Sequence, residues 1–292
     1  MPIKMWGADP EVFASYEKDG KNYVLPPVYF RHVLHRKVEP DDKHPIFVRR
    51  DNFYVHEDGV AFEVSVRPAD DWKELFYNLQ ESYKALETNI LKDHLDVCDG
   101  KVHVSPTINY EWERWIEYPE EFQLCNLFGC DRDFDAFDIE RDAQVQHVET
   151  HPLRYGGGHI HGSGSDKALE DPILAVKLLA MTAGCAATAY SDVPKLEKLR
   201  TYLYGRPGRF RPQEYADGTF GIEYRTPSNT WTKNINIAEK VFEWFRTGID
   251  VLLEKGLGKE LLPELVEPTV KAILNSNQKL ALQVLNRIEE RI

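Results

Sequence analysis

The sequence has few cysteines, no long apolar run and no motif of the kind that binds phosphate through a P-loop. Its four cysteines include no Cys-x-x-Cys pair, so we expect reduced buried thiols and neither a disulfide framework nor a zinc ribbon. No apolar run approaches the ~18 residues of a membrane span, and the first residues lack the charged and then apolar regions of a signal peptide. We therefore expect a cytoplasmic protein without membrane contacts. The absence of Gly-x-x-x-x-Gly-Lys-Ser/Thr excludes P-loop chemistry.

Basic residues are in the minority, since 48 Asp and Glu stand against 36 Lys and Arg, a net charge of −12. Such a surface repels nucleic acid and anionic lipid, so direct nucleic-acid binding is not expected. An anionic substrate would have to be attracted by local arginines or by bound cations. The hydrophobic share of 42% in 292 residues supports a substantial core.

Alternating apolar residues around Asp-Gly turns predict antiparallel hairpins in residues 4–30 and 46–67. Helical spacing of apolar residues then predicts an amphipathic helix from Asp71 to about Leu95, with Asp70 or Asp71 as its N-cap. Later elements follow in chain order: a strand over 101–110, a long excursion over 110–150, an apolar helix from Pro172 to Tyr190, a last strand over 219–228, and helices from Ile237 that break at Gly256–Gly258 and Pro268. This order favours an α+β fold with a mainly antiparallel sheet.

Four of the predicted strands carry polar residues at alternate positions, which places those residues on one face of each strand. They are Asp9 with Glu11, Glu63 with Ser65, His159 with His161 and Ser163, and Glu223 with Arg225. Each set alone could be the wet face of a half-buried strand. Together, carboxylates on at least three strands, a histidine pair and an arginine suit a divalent metal and a phosphate. The oxygen-rich set favours Mg²⁺ or Mn²⁺ over zinc.

Two glycine-rich segments accompany these strands. The first is a predicted loop that contains Arg206, Arg209 and Arg211. These arginines could form bidentate hydrogen bonds with phosphate oxygens, or the loop could be a solvated basic loop. Glycines 156 to 158 precede His159 and permit positive φ and a close approach of the backbone to a ligand.

Several motifs, taken in order, resemble one known family. Asp-Pro-Glu near the start, "EDGVAFEVSVRPA", "FGCDRD", "GGGHIHGS" and "YGRPGRFRP…GIEYRTPSN" resemble the phage-type carboxylate–amine ligases, or amidoligases, of the glutamine synthetase and glutamate–cysteine ligase fold group. The resemblance runs from Gly7 to about Trp231. It implies a catalytic domain over residues 1–232 and leaves the rest of the chain unmatched, where the sequence pattern predicts a helical segment over residues 233–292 packed on that domain.

The resemblance also implies a site. The sheet would be strongly curved with helices on its convex face, and its concave face would hold Mg²⁺ or Mn²⁺ and the phosphates of ATP. Carried over motif by motif, the metal ligands are Asp9, Glu11, Glu63, His159 and Glu223; the ATP contacts are His161, Ser163, Arg206, Gly157 and Gly158; and the catalytic residues are Arg225, Arg209, Arg211 and Glu63. ATP would phosphorylate a carboxylate, and an amine would attack the acyl phosphate to form an amide. The substrates would be small-molecule or peptide carboxylates and amines, and a phage-encoded enzyme would work in the host cytoplasm.

The sequence departs from the family pattern in two places. Asp9 is shorter than the glutamate usual at its position, and only Glu63 is assigned to the middle strand. Glu57 or Asp58 could supply a further ligand or the base that takes the amine proton, although an Asp-Gly turn is often solvated. Asp131, Asp133 and Asp135 could form a substrate loop or a surface turn.

Other functions remain open at this point. A kinase of the same fold would need the same metals and arginines, and a non-catalytic binding or virion protein could retain the fold. A barrel hydrolase is disfavoured because all ten histidines lie at or before His161, and a cupin is disfavoured because Glu170 comes too late after His-x-His. The sequence is compatible with a homo-oligomer and identifies neither substrate.

Overall fold

A computed structural model describes residues 3–41, 44–115, 118, 122, 133–137, 151–215 and 219–292. Most of the predicted 110–150 excursion, including Cys125, Cys130, Asp131 and His147, therefore lies outside the described residues.

The described strands form sheets that are almost entirely antiparallel. The strands are β1 (Met5–Ala8), β2 (Glu11–Val12), β3 (Ala14–Lys18), β4 (Lys21–Leu25), β5 (Ile46–Arg49), β6 (Phe53–Asp58), β7 (Ala61–Val66), β8 (Thr107–Asn109), β9 (Phe134–Asp135), β10 (Leu153–Tyr155), β11 (Ile160–Ser163), β12 (Arg209–Glu214) and β13 (Phe220–Tyr224). Their orders are β1-β11-β13-β12-β9, β10-β8-β4-β3 and β2-β7-β6-β5. The β4–β8 pair is parallel.

The helices lie between and after these groups of strands. They are α1 (Pro27–His32), α2 (Trp72–Asn89), α3 (Trp112–Trp115), α4 (Asp166–Glu170), α5 (Pro172–Leu179), α6 (Cys185–Tyr190), α7 (Pro194–Leu203), α8 (Ile235–Arg246), α9 (Gly258–Leu274) and α10 (Gln278–Glu289). π-helical turns join α5 to α6 (Ala180–Gly184) and extend α8 (Thr247–Leu253). The α+β prediction is thus confirmed, with mostly antiparallel sheets.

Local sequence chemistry accounts for several boundaries. Asp71 caps α2, because its carboxylate accepts a hydrogen bond from the Lys73 amide at 3.0 Å, as predicted. The strand predicted to run to Phe30 is wrong: Pro27 begins α1, where its missing N–H and fixed φ suit the first helical position.

The predicted break at Pro268 is also wrong, because Pro268 lies inside α9. Each proline inside a helix costs one backbone hydrogen bond, and burial of the Leu261, Leu265 and Ala272 side chains of α9 offsets that cost. The chain turns later, at Ser276, whose φ is 46°.

The C-terminal helices share the hydrophobic core with the strands. Phe242 and Phe245 of α8 pack edge-on against Trp6 of β1, with ring centroids 5.2 and 5.3 Å apart. Trp231 packs edge-on against Phe242 as well. These contacts fix β1, and therefore the chain that follows it, against the helical layer.

The segment from Pro172 to Tyr190 is long and apolar enough to cross a membrane by length and composition alone. Most of it is buried inside the protein, with Val176, Leu179 and Met181 fully enclosed. A buried core helix has this same composition.

Candidate functional site

Two sheets meet at the Asp9-Pro10-Glu11 segment, and this junction builds the site. Strand β1 ends at Ala8 and pairs with β11, whereas β2 begins at Glu11 and pairs with β7. The expectation that Asp9 and Glu11 share one strand face is wrong, because the chain changes sheets between them. Each carboxylate therefore joins a different cluster of side chains.

The first cluster, called here the histidine cluster, contains Asp9, His159, His161 and Glu223. His159 Nδ1 lies 3.2 Å from Asp9 Oδ1 and 3.3 Å from Glu223 Oε1, and His161 Nε2 lies 3.2 Å from Asp9 Oδ2. His161 lies directly opposite Glu223 in the β11–β13 pair. Ligand atoms of Asp9, His161 and Glu223 all lie within 4.8 Å of one another, a spacing that suits one metal ion.

The second cluster, called here the carboxylate cluster, contains Glu11, Asp58 and Glu63. Their ligand atoms also lie within 4.8 Å of one another, and Glu11 lies directly opposite Glu63 in the β2–β7 pair. Of the two acidic residues left open by the sequence, Asp58 joins the cluster. Glu57 instead forms an ion pair with Arg31 at 3.2 Å.

Burial and charge shift the pKa values of acids in the two clusters in opposite directions: Glu11 and Glu63 have raised pKa values, and Asp9 has a lowered one. Burial, reinforced by the charge of Asp58, raises the pKa of Glu11 to about 8. Burial also raises the pKa of Glu63 to about 7, despite a hydrogen bond with His56. Burial favours a raised pKa at Asp9 too, but the charges of His161 and His159 outweigh it and hold that pKa below its usual range. In the carboxylate cluster, burial and the mutual repulsion of the acids thus outweigh the contacts with His56 and the Gly157 amide.

The buried carboxylate and ring atoms of the histidine cluster lie at ion-pair distance from one another, with Asp9 Oδ1 3.2 Å from His159 Nδ1 and Asp9 Oδ2 3.2 Å from His161 Nε2. Burial lowers the pKa of His159, and Arg225 adds to the effect, which favours the neutral imidazole that a metal requires. Burial acts in the same direction at His161, but the charge of Asp9 outweighs it and raises that pKa, so a cation must displace a proton from His161. The close spacing of the Asp9, His161 and Glu223 ligand atoms, together with a neutral imidazole at His159, fits a divalent cation with a preference for oxygen ligands.

Two buried arginines flank the histidine cluster. Arg225 hydrogen-bonds to Glu223 through Nη1, and its Nε lies 3.8 Å from Asp133. Arg209 binds the same Asp133 at 3.0 Å and Asp135 at 3.4 Å. Asp133 and Asp135 therefore belong to the site and are not simply part of a surface turn.

The other predicted arginines are placed differently from expectation. Arg209 and Arg211 lie on strand β12 and not in a loop, because β12 pairs with β13 over residues 210–214. Arg211 lies directly opposite Glu223 in that pair. Arg206 precedes the strand, and its carbonyl accepts a hydrogen bond from the Thr226 hydroxyl at 2.9 Å.

The backbone of glycines 156 to 158 packs closely against neighbouring residues of the chain. None of these glycines has a positive φ, so the expectation of positive φ is wrong. The Gly157 amide donates to Glu11 Oε2 at 2.6 Å, which ties this segment to the carboxylate cluster. A Cβ on Gly158 would lie 2.2 Å from the Ser228 carbonyl oxygen. These backbone groups contact the protein itself, so their predicted role in contacting ATP gains no support from this geometry.

A cavity of about 630 Å³ opens beside the histidine cluster. Its walls include Asp9, His161 and Ser163, together with the aromatic side chains of Tyr54 and Tyr215. Of the predicted ATP contacts, His161 and Ser163 line this cavity, whereas Gly157, Gly158 and Arg206 do not. The cavity is large enough for a small-molecule ligand.

Gln213 and Tyr204 also contact residues of the site, and neither was predicted from the sequence. Gln213 on β12 hydrogen-bonds to Glu223, and its position two residues after Arg211 gave a signal for a shared face. Tyr204 contacts both His159 and Arg225, and no periodicity in the sequence indicates this.

No protein-family model matches the chain, and no curated protein matches it.

Proposed function

We propose that the protein is an ATP-dependent carboxylate–amine ligase that uses Mg²⁺ or Mn²⁺ and forms an amide through an acyl phosphate. One observation carries the proposal: two sets of cation ligands, the histidine cluster and the carboxylate cluster, lie on either side of Pro10. Buried arginines adjoin the first of them. This combination suits a polyphosphate held by metal ions.

The finer fold belongs to the same proposal. We propose that the sheets form the curved surface of a glutamine synthetase-like catalytic domain with helices on its convex side. The junction at Pro10 supports this, because carboxylates from different sheets converge there. The motif order from Gly7 to Trp231 supports it independently.

Each group in the site has a defined task under this proposal. The histidine and carboxylate clusters would hold the metal ions, which when bound neutralise charge on the phosphates and orient them. Arg225 and Arg209 would donate to the equatorial oxygens of the phosphoryl group during transfer. His161 and Ser163 line the cavity and would contact the nucleotide.

Phosphorylation solves the chemical problem of amide formation. A carboxylate is a poor electrophile, and its phosphorylation provides a leaving group for the attacking amine. A nearby carboxylate must take the proton from that amine. Glu57 is held by Arg31, so Asp58 is the better placed of the two, and it would take this proton only if Glu11 and Glu63 hold the metal ion without it.

The test uses the purified protein with Mg-ATP and mixtures of amino acids and amines, and it follows ADP release. A ligase releases ADP only when a suitable carboxylate is present, and hydroxylamine traps its acyl phosphate as a hydroxamate. ADP release with a stable phosphorylated product and no hydroxamate would instead indicate a kinase. Failure to bind Mg-ATP in calorimetry would contradict both and favour a non-catalytic protein.

A further inference from the structure

The hydroxyl of Tyr204 lies between two residues of the site. Tyr204 Oη is 3.0 Å from His159 Nε2, and it accepts a hydrogen bond from Arg225 Nη2 at 2.8 Å. The other ring nitrogen of His159, Nδ1, lies 3.2 Å from Asp9 Oδ1 and 3.3 Å from Glu223 Oε1, with Arg225 Nη1 farther away at 3.5 Å. Tyr204 therefore contacts the histidine from the side opposite the ligand atoms.

The backbone and a buried arginine hold Tyr204 in place. Its amide donates to the Arg200 carbonyl at 2.8 Å, which closes the last turn of α7. Its ring lies 5.0 Å from the guanidinium of Arg200, and Arg200 in turn donates to the carbonyls of Thr226 and Pro227 at 2.7 and 3.1 Å. Gly205 completes the turn with φ of 65°, and a Cβ there would lie 2.0 Å from Arg200 Nη1. The hydroxyl position is thus fixed before any ligand binds.

The proton on His159 must occupy different nitrogens in the two states of the site. Without a cation, a proton on Nδ1 points at the carboxylates of Asp9 and Glu223, and Nε2 is then an acceptor. A cation bound through Nδ1 needs the lone pair there, so the proton must move to Nε2. A tyrosine hydroxyl can donate to Nε2 in the first state and accept from it in the second, while still accepting from Arg225.

We propose that Tyr204 is a positioning residue that allows His159 to change tautomer when a divalent cation binds. The inference rests on the proposed function, because it requires a cation at the histidine cluster that is bound by His159 Nδ1, which lies beside the Asp9 and Glu223 ligand atoms, and not by the Asp9, His161 and Glu223 set alone. His159 is only 3% exposed, so water does not replace a missing partner at Nε2. Loss of the hydroxyl leaves a buried N–H unpaired in the cation-bound state, and partners of this kind affect metal affinity about 10- to 100-fold.

The first test compares Y204F with Y202F. Tyr202 lies two residues earlier on α7 and is 76% exposed, so Y202F removes the same hydroxyl away from the site. We expect Y204F to bind Mn²⁺ alone about 10- to 100-fold more weakly in calorimetry. Y202F should bind Mn²⁺ as the unchanged protein does, and circular dichroism should be the same for all three proteins. Equal Mn²⁺ affinity in folded Y204F would overturn the inference.

The second test reads the tautomer directly and needs no Tyr204 variant. In protein with ¹⁵N-labelled histidine, assigned by comparison with His159→Asn, we expect the His159 proton on Nδ1 without metal and on Nε2 with saturating Mg²⁺. A proton that stays on Nδ1 overturns the role of Tyr204 even if Y204F fails to fold. If the unchanged protein binds neither Mg²⁺ nor Mn²⁺, the proposed function fails as well. Metal binding with an unchanged tautomer defeats only the present inference.

Discussion

The histidine cluster and the carboxylate cluster are built from the same short segment, yet they differ in how their charges are balanced. In the histidine cluster, Asp9 lies between two imidazoles, and Arg225 contacts Glu223. In the carboxylate cluster, Glu11 is paired with the Gly157 amide and Glu63 lies 3.5 Å from His56, but all three members of the cluster are acids. The pKa values reflect this, because the pKa of Asp9 is held low whereas those of Glu11 and Glu63 are raised.

The difference shows what each cluster gains from a cation. The histidine cluster has internal partners for its negative charge, so a cation there competes with hydrogen bonds already present. The carboxylate cluster must either hold protons or bind a cation, because the ionisation of all three buried acids at this spacing is energetically unfavourable. The two clusters should therefore respond differently to substitution, to pH and to removal of metal.

The largest expected effect is at Glu223 of the histidine cluster. Glu223→Gln keeps the shape of a side chain that is 1% exposed but removes its charge from Arg225 and from the cation ligands. We expect ATP turnover to fall at least ~100-fold, as for the loss of a group that stabilises transition-state charge. ADP release measures the effect, and E289Q on the exposed end of α10 is the matched control. Retained turnover in folded E223Q would count against the proposed enzyme.

Metal affinity should depend on pH through the acids of the carboxylate cluster as well as through His161, whose pKa is raised by Asp9. The pKa values of about 8 at Glu11 and about 7 at Glu63 mean that both acids hold protons at pH 6. A cation must displace these protons, so affinity for Mg²⁺ should fall as the pH drops from 8.5 to 6, by up to about tenfold per unit for each proton released. Calorimetry in buffers of different ionisation enthalpy measures the protons directly.

A variant separates the two clusters in this experiment. In E63Q the proton with a pKa of about 7 is absent, so the pH dependence should become shallower. An unchanged slope in E63Q would show that the protons come from another group, and the contrast between the clusters would then be wrong.

The sequence predicted the parts of the site that depend on alternation within one strand. Glu63 lies on a half-buried face of β7 while Phe62 and Val64 are buried, and Tyr224 faces the core beside Glu223 and Arg225. These placements follow from a period of two residues, which is a local property. The amphipathic helix α2 and its N-cap were predictable for the same reason.

The parts that could not be predicted depend on contacts between distant segments. Nothing near Pro10 indicates that Asp9 joins β11 while Glu11 joins β7. Asp58 was ambiguous because an Asp-Gly pair is typical of solvated turns, and only the β2–β7 pairing brings Glu11 to it. Tyr204 follows the end of a helix, where its direction depends on the packing of Arg200 and on the Gly205 turn.

The smallest expected effect is on the stability of the metal-free protein, and it should have opposite signs in the two clusters. The folded pKa values of Glu11 and Glu63 lie above their ordinary value of 4.5, so the stability they contribute is lost as pH rises through about 7 to 8. In EDTA at pH 8.5, E63Q should therefore raise Tm by roughly 2–4 °C, which corresponds to about 1 kcal/mol.

The Asp9 carboxylate has a lowered pKa, so its charge stabilises the fold at the same pH, and Asp9→Asn should lower Tm by a similar amount. Melting curves in EDTA and in excess Mg²⁺ give both values. Excess Mg²⁺ should cancel or reverse the gain in E63Q, because the unchanged protein then has a cation in place of its protons. If E63Q and D9N change Tm in the same direction in EDTA, negative charge has the same effect on stability in the two clusters. The inferred difference between them, and with it the reason for the carboxylate cluster to bind a cation, would then be wrong.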